Sequence, residues 1–245
     1  MTGRGAQDVW LPVLARWGVI AAAATVGLFT TFFAAFGMVA SRPGFGGDND
    51  ELIMAAYAPG LYRLSMLFDA LGWLGMGGLL VIAGLALSGG SPVRGRLGAA
   101  LGVTAIAGII GAFIRMTVIG DLGEQYAAAG ADQAAILAMA RTVAGIISAF
   151  FEAGQLTMGL AFLAVGSAAL AASWVPRSIA WLLTLPALTS LGLLALDVFL
   201  DVFLFPVLLV HIALLTAAAL LIARRWWTVP VTYEPRPGAA AAAPQ

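Results

Sequence analysis

Six stretches of the chain stay apolar for about twenty residues or more, and the polar residues gather in short clusters between them. The stretches fall at 17–40, 61–87, 97–119, 142–172, 179–196 and about 204–223. A membrane helix needs about 20 such residues to cross about 30 Å of hydrocarbon. The pattern therefore predicts an all-α fold, a six-span transmembrane helical bundle forming one domain over residues 1–228. The last two stretches need a turn between them, because residues 179–223 as one helix would run about 67 Å. The segment LDVFLDVFLFP, residues 196–206, is the one interruption, with Pro206 suited to the first turn of the sixth span. Pro186 predicts a kink in the fifth, since it removes an intrahelical hydrogen bond.

Charge sets the expected orientation. Arg4 and Arg16 precede the first span, Arg94 and Arg96 separate the second and third, Arg177 separates the fourth and fifth, and Arg224 and Arg225 follow the sixth. The alternate loops carry Asp48, Asp50 and Glu51, then Asp121, Glu124 and Asp132, then Asp197 and Asp201. Under the positive-inside rule both termini are cytoplasmic, with Trp226 and Trp227 in the interfacial belt, and the expected location is the inner (plasma) membrane. FGMVAS, residues 36–41, loosely resembles a signal cleavage site, but the apolar run before it is longer than a signal core, so a retained anchor is expected. The Pro- and Ala-rich residues 229–245 are expected to form a disordered cytoplasmic tail.

Composition sharpens this picture. The chain is 62% hydrophobic and 10% charged, with a mean hydropathy of +0.99. Soluble domains are about 45–50% apolar and about 25% charged. Formal net charge is zero, so nothing points to nucleic acid. There is no cysteine, which excludes disulfides, thiolate catalysis and Cys-ligated metal centres, and no lysine, which excludes Schiff-base chemistry.

Two segments echo each other: DELIMAAYAPGLYRLSMLFDALGWLGMGG from Asp50 and DQAAILAMARTVAGIISAFFEAGQLTMGL from Asp132. Each opens on an Asp suited to a helix N-cap, passes an Arg, and enters a span whose acid follows a serine by four residues, Ser65–Asp69 and Ser148–Glu152. Each ends on a Met-Gly pair. The two segments predict a parallel internal repeat of helix pairs, spans one and two against spans three and four.

The polar residues inside the spans are the candidates for function. Asp69 lies about 12 Å into the second span and Glu152 about 15 Å into the fourth. Arg115 is about 6 Å below the outer end of the third, His211 about 8 Å below Pro206, and Gln155 shares a face with Glu152. Arg63 and Arg141 flank the outer ends of their spans. A charge in hydrocarbon costs roughly 2.5–3.5 kcal/mol on insertion scales, so such groups face a partner or a water-filled cavity. All of them fall in the outer half, which predicts an outward-facing polar cup built from Asp69, Glu152, Arg115, Gln155, His211, Arg63, Arg141, Ser65 and Ser148. The acids there either pair with arginine as structural staples or are held for a ligand or proton. His211 is read first as a hydrogen-bonded bundle residue, and Asp197 and Asp201 as outer-loop charges and a helix cap.

No metal site is expected. Asp69, Glu152 and His211 could suit zinc, manganese or iron, but no H-x-x-x-H or E-x-x-H spacing accompanies them. One histidine without an attachment motif does not make a haem site, and GDND, residues 47–50, lacks the rest of a calcium loop. No Walker A, nucleophile elbow or dinucleotide fingerprint occurs, so no cofactor is expected and a non-catalytic role is favoured.

GLYRLSMLFDALGWLGMGGLLVIAGLAL, residues 60–87, together with SWVPRSIAWLL, residues 173–183, resembles an uncharacterised bacterial multi-pass integral membrane family, a domain of unknown function. That resemblance implies the same multi-span fold over roughly residues 15–225 and assigns no activity. Three functional readings follow from the residues. The first is ligand, ion or proton handling or sensing at the outer cup, with the lipid bilayer and a small molecule or ion as partners. The second is a non-catalytic bundle that joins a homo- or hetero-oligomer as a membrane partner or accessory subunit. The third is an intramembrane enzyme acting on lipid.

Overall fold

The computed structural model describes residues 4–42, 45, 50–200 and 205–227, with side chains in all but a few positions near the helix ends at either margin. The described residues form helices joined by short turns, with no strand among them, and six of the helical segments are long and apolar enough to cross a membrane. Helix α1 spans Arg4–Val39, α2 Asp50–Tyr57 and α3 Pro59–Leu87. The third span is broken into α4, Pro92–Val103, and α5, Ile106–Ile114, then a π-helical turn, Arg115–Ile119, and α6, Gly120–Ala127. Helix α7 runs from Gln133 to Ala171, α8 from Arg177 to Leu200 and α9 from Phe205 to Trp226.

The spans pack in a closed ring: α1 on α3, α3 on α4 and α5, those on α7, α7 on α8, α8 on α9, and α9 back on α1. Small residues bring the helices close. Glycines seven apart on α3, Gly77 and Gly84, meet glycines seven apart on α4, Gly102 and Gly95. An added Cβ on Gly77 would fall 2.9 Å from the Gly102 carbonyl, and one on Gly95 would fall 2.6 Å from the Gly84 carbonyl. Any side chain at these rungs would push the backbones apart, so the contact is of the small-residue kind that membrane helices use. Many large apolar side chains point outward, Val26, Ile110, Leu74 and Leu188 among them, as lipid-facing residues do.

Two apolar clusters fill the bundle. One lies where Leu11, Leu87, Val175, Ile179 and Trp226 meet, at the end where α4 begins with Arg94 and Arg96 and α8 begins with Arg177. The other, around Val39, Leu52, Tyr62, Ile119, Leu122 and Ile147, lies at the opposite end, where α2 packs on α6.

Several helix limits differ from the sequence expectation. Hydropathy marks the part of a helix that lies in apolar surroundings, not where its hydrogen bonding stops. Thus α1 begins before residue 17, and α7 begins at Gln133 rather than near 142, because its first turns are rich in helix-favouring alanine. At 39 residues α7 is about 58 Å long and exceeds the width of a hydrocarbon core. Asp132 caps α7 as expected, its carboxylate accepting from the Ala135 N–H at 3.1 Å. Asp50 is instead the first helical residue of α2. Helix α8 stays helical through Pro186. Residues 201–204, Asp48 and the tail 229–245 lie outside the described residues, and with them the expected turn between the fifth and sixth spans.

The two echoing segments fold differently. The first divides at Pro59 into α2 and α3, whereas the second is continuous in α7. Ser65 is fully buried and its counterpart Ser148 is exposed.

Candidate functional site

A cavity of about 130 Å³ lies among α1, α3, α7, α8 and α9. Thr25 and Leu28 come from α1, Asp69, Gly72, Trp73 and Met76 from α3, Gln155, Met158 and Phe162 from α7. Ser190 of α8 and His211, Ile212 and Leu215 of α9 complete it. Met76, Met158 and Phe162 also belong to the cluster at the arginine-rich end. The walls are thus mostly apolar, with five polar side chains set among them.

The helices place each polar group by simple periodicity. Asp69, Trp73 and Met76 follow one another at spacings of four and three on one face of α3. Gly72, between them, has open space beside it: an added Cβ would meet nothing within 4 Å. Trp73 lies one turn beyond Asp69 and lines the same cavity. Its ring packs edge-on to Phe151 at 5.7 Å between centroids and presses on the bare Cα of Gly108. Asp69 makes no ion pair among the described residues.

The hydroxyls are already committed. Thr25 Oγ1 donates to the Ala21 carbonyl at 2.8 Å, and Ser190 Oγ donates to the Gln155 carbonyl at 3.0 Å, tying α8 to α7. Each has spent its one hydrogen, so each offers the cavity lone pairs only. His211 is held from behind, its Nδ1 2.7 Å from the Thr189 hydroxyl. Thr189 is not part of the lining, so Nε2 is the nitrogen left for the cavity.

A second polar group lies nearer the α2 and α6 end. The Tyr62 hydroxyl donates to Glu51 Oε1 at 2.8 Å, with the Arg115 carbonyl 3.3 Å away. Arg115 Nε is 3.2 Å from the same Glu51 oxygen, yet it is buried and makes no aligned hydrogen bond, so the attraction is one of charge. The guanidinium also lies over the Phe151 ring, 4.2 Å from its centroid. Arg115 opens the π-helical turn, and such turns turn a side chain away from the regular helical face. At the surface, Arg63 bridges Asp121 at 2.8 Å and Glu124 at 3.0 Å.

Of the nine residues read from the sequence, Asp69, Gln155 and His211 line the cavity. Arg115 belongs to the Glu51–Tyr62 group, and Arg63 sits in the surface network. Ser65 is buried and donates to the Tyr62 carbonyl at 2.7 Å. Arg141 and Ser148 are exposed on α7, and Glu152, half-buried, makes no ion pair among the described residues. Neither acid is therefore stapled to arginine. Among the described residues no three His, Asp or Glu side chains gather as a metal site requires. Thr25, Trp73, Ser190, Glu51 and Tyr62 were not among the sequence candidates. Trp73 had the clearest signal, lying one turn beyond Asp69.

No protein-family model, curated protein or solved structure matches the chain. The likeness of residues 60–87 and 173–183 to a multi-pass family consequently carries no residue role, and the chemistry rests on the geometry above.

Proposed function

We propose that this is a six-span protein of the inner (plasma) membrane, with both termini cytoplasmic, that binds a small molecule or ion in the central cavity in order to handle or sense it. The observation that carries the reading is Asp69: a carboxylate with no ion pair that lines a cavity with mostly apolar walls. Holding a charge there is costly unless something completes it. The orientation draws support from Arg94, Arg96 and Arg177 lying at one end of the bundle and Glu51, Asp121, Glu124 and Asp132 at the other. Repetition of spans one and two in spans three and four is part of the proposal on the sequence pattern alone, since Ser65 and Ser148 lie in unlike settings.

Native mass spectrometry of the full chain released from mild detergent tests the reading. A bound non-lipid mass that disappears in Asp69→Asn supports it. An empty wild-type protein whose unfolding temperature no small solute raises would sink it.

One observation favours the second reading, a partner or accessory subunit. Only 11% of the apolar window of α7 is buried, against 56% for α3, and Arg141, Ser148 and Gly145 lie on its uncovered part. Ser148 lies within the span, where polar groups are normally covered by protein. Size-exclusion chromatography with light scattering distinguishes the two, since a covered α7 requires an oligomer.

A further inference from the structure

We infer that the cavity takes a small primary ammonium ion, a molecule of about five or six heavy atoms; this rests on the ligand-binding reading above and names its class. The argument is an inventory of hydrogen-bonding capacity. Asp69 supplies a carboxylate that only accepts when ionised. Thr25 and Ser190 have given their hydrogens to the Ala21 and Gln155 carbonyls, so they too can only accept. The Trp73 indole, a donor only, lies one turn from the Asp69 carboxylate on α3. Gln155 offers both an oxygen and a donor, and His211 offers Nε2. The lining thus holds at least three acceptors around one negative charge, and no cationic side chain lines it.

An anion finds no positive group there, and its oxygens would face lone pairs. A hard metal cation would require a shell of six or more oxygens, while most of the lining is Leu, Met, Ile, Phe and Trp. A primary ammonium satisfies both halves of the site. Its three N–H donors match the acceptors, its charge completes Asp69, and its alkyl part lies against Met76, Met158 and Phe162. Size agrees as well. The cavity, at about 130 Å³, is a little smaller than the dry engineered cavity of about 150 Å³ that holds benzene.

The test is equilibrium binding to the full chain in detergent with three probes of similar size that share an isopropyl group: isobutylammonium, isobutanol and isobutyrate. Isobutylammonium is expected to bind about tenfold or more tightly than isobutanol, with isobutyrate the weakest, and Asp69→Asn is expected to abolish that preference. If isobutanol or isobutyrate binds as well as the amine, or if Asp69→Asn leaves the preference intact, the ammonium assignment is overturned while ligand binding stands. If no probe binds wild type, the ammonium assignment also falls, and the mass-spectrometric result decides separately whether the cavity holds anything. Gly72→Leu, which fills the open space beside Asp69, is expected to abolish binding without unfolding the protein. An ethanolamine headgroup carries the same ammonium. Dihexanoyl phosphatidylethanolamine competing with isobutylammonium identifies a lipid source, and failure to compete identifies a free amine.

Discussion

Thr189 and His211 are joined across α8 and α9 by a contact of 2.7 Å, the shortest polar link between those two helices among the described residues. Thr189 also lies near the Leu185 and Pro186 carbonyls, at 3.4 and 3.2 Å, so its hydroxyl sits on the turn that Pro186 opens. Thr189→Val keeps the side-chain shape and removes the oxygen, leaving Nδ1 of an enclosed imidazole without its partner. The expected cost is about 1–3 kcal/mol, read as a lower midpoint of thermal unfolding in detergent. Adding His211→Phe should recover part of the loss, because the stranded nitrogen goes with it. An unchanged midpoint for Thr189→Val would show that the link contributes nothing.

Asp69 and Glu51 should respond oppositely to neutralisation. Asp69 has no ion pair, so Asp69→Asn strands no arginine and relieves an enclosed charge; its midpoint is expected to equal or exceed that of wild type. Glu51→Ala removes the acceptor of the Tyr62 hydroxyl and the counter-charge of Arg115 together. The group is partly exposed, so the expected loss is moderate, about 1–2 kcal/mol. A sharp drop for Asp69→Asn would restore the staple reading of that acid.

The contrast explains what could be read in the sequence. Six apolar stretches were visible because a bilayer demands length and apolarity in a run, and both survive without knowledge of packing. The arginines were legible for the same reason. What an acid in a span does is not written locally. Asp69 and Glu152 share their setting in sequence, a serine four residues before and a Met-Gly pair after, yet only Asp69 reaches the cavity. The outcome depends on which neighbour each helix face meets, and α7 leaves much of its N-terminal half unpacked. Thr25 and Ser190 escaped notice because hydroxyls in apolar helices commonly bond to their own or a neighbouring backbone, which here is also what makes them acceptors. Glu51 was read as a loop charge. Its place in the first turn of α2, folded back against Tyr62 and Arg115, depends on the break at Pro59.

Two glycines make a paired prediction about packing. Gly108 has the Trp73 ring directly against it, so Gly108→Ala must displace the indole from between α5 and α7. Overpacking of this kind costs roughly 1–3 kcal/mol, and the displaced ring should also disturb Asp69 and weaken probe binding. Gly145 on α7 has nothing within 4 Å of an added Cβ. In an isolated protein Gly145→Ala should stabilise by about 0.5–1 kcal/mol through helix propensity alone. If a partner covers α7, Gly145→Leu will instead shift the light-scattering mass toward the monomer, and that result would favour the accessory-subunit reading.

Gly72→Leu separates stability from binding most cleanly. The residue lines the cavity one turn from Met76 and has open space where a side chain would go. A leucine there replaces the most flexible residue in a helix with a good helix former, worth roughly 0.5–1 kcal/mol, and buries apolar surface against Leu28 and Ile212. The unfolding midpoint is therefore expected to rise. The same side chain occupies space that a ligand of the proposed size needs, so ligand-dependent stabilisation should vanish. A variant that is more stable when empty, and no longer stabilised by isobutylammonium, would mean that the cavity is kept open at the expense of stability. A variant that is destabilised would mean that the space beside Gly72 is already filled in the folded protein, and the cavity argument would fail at its first step.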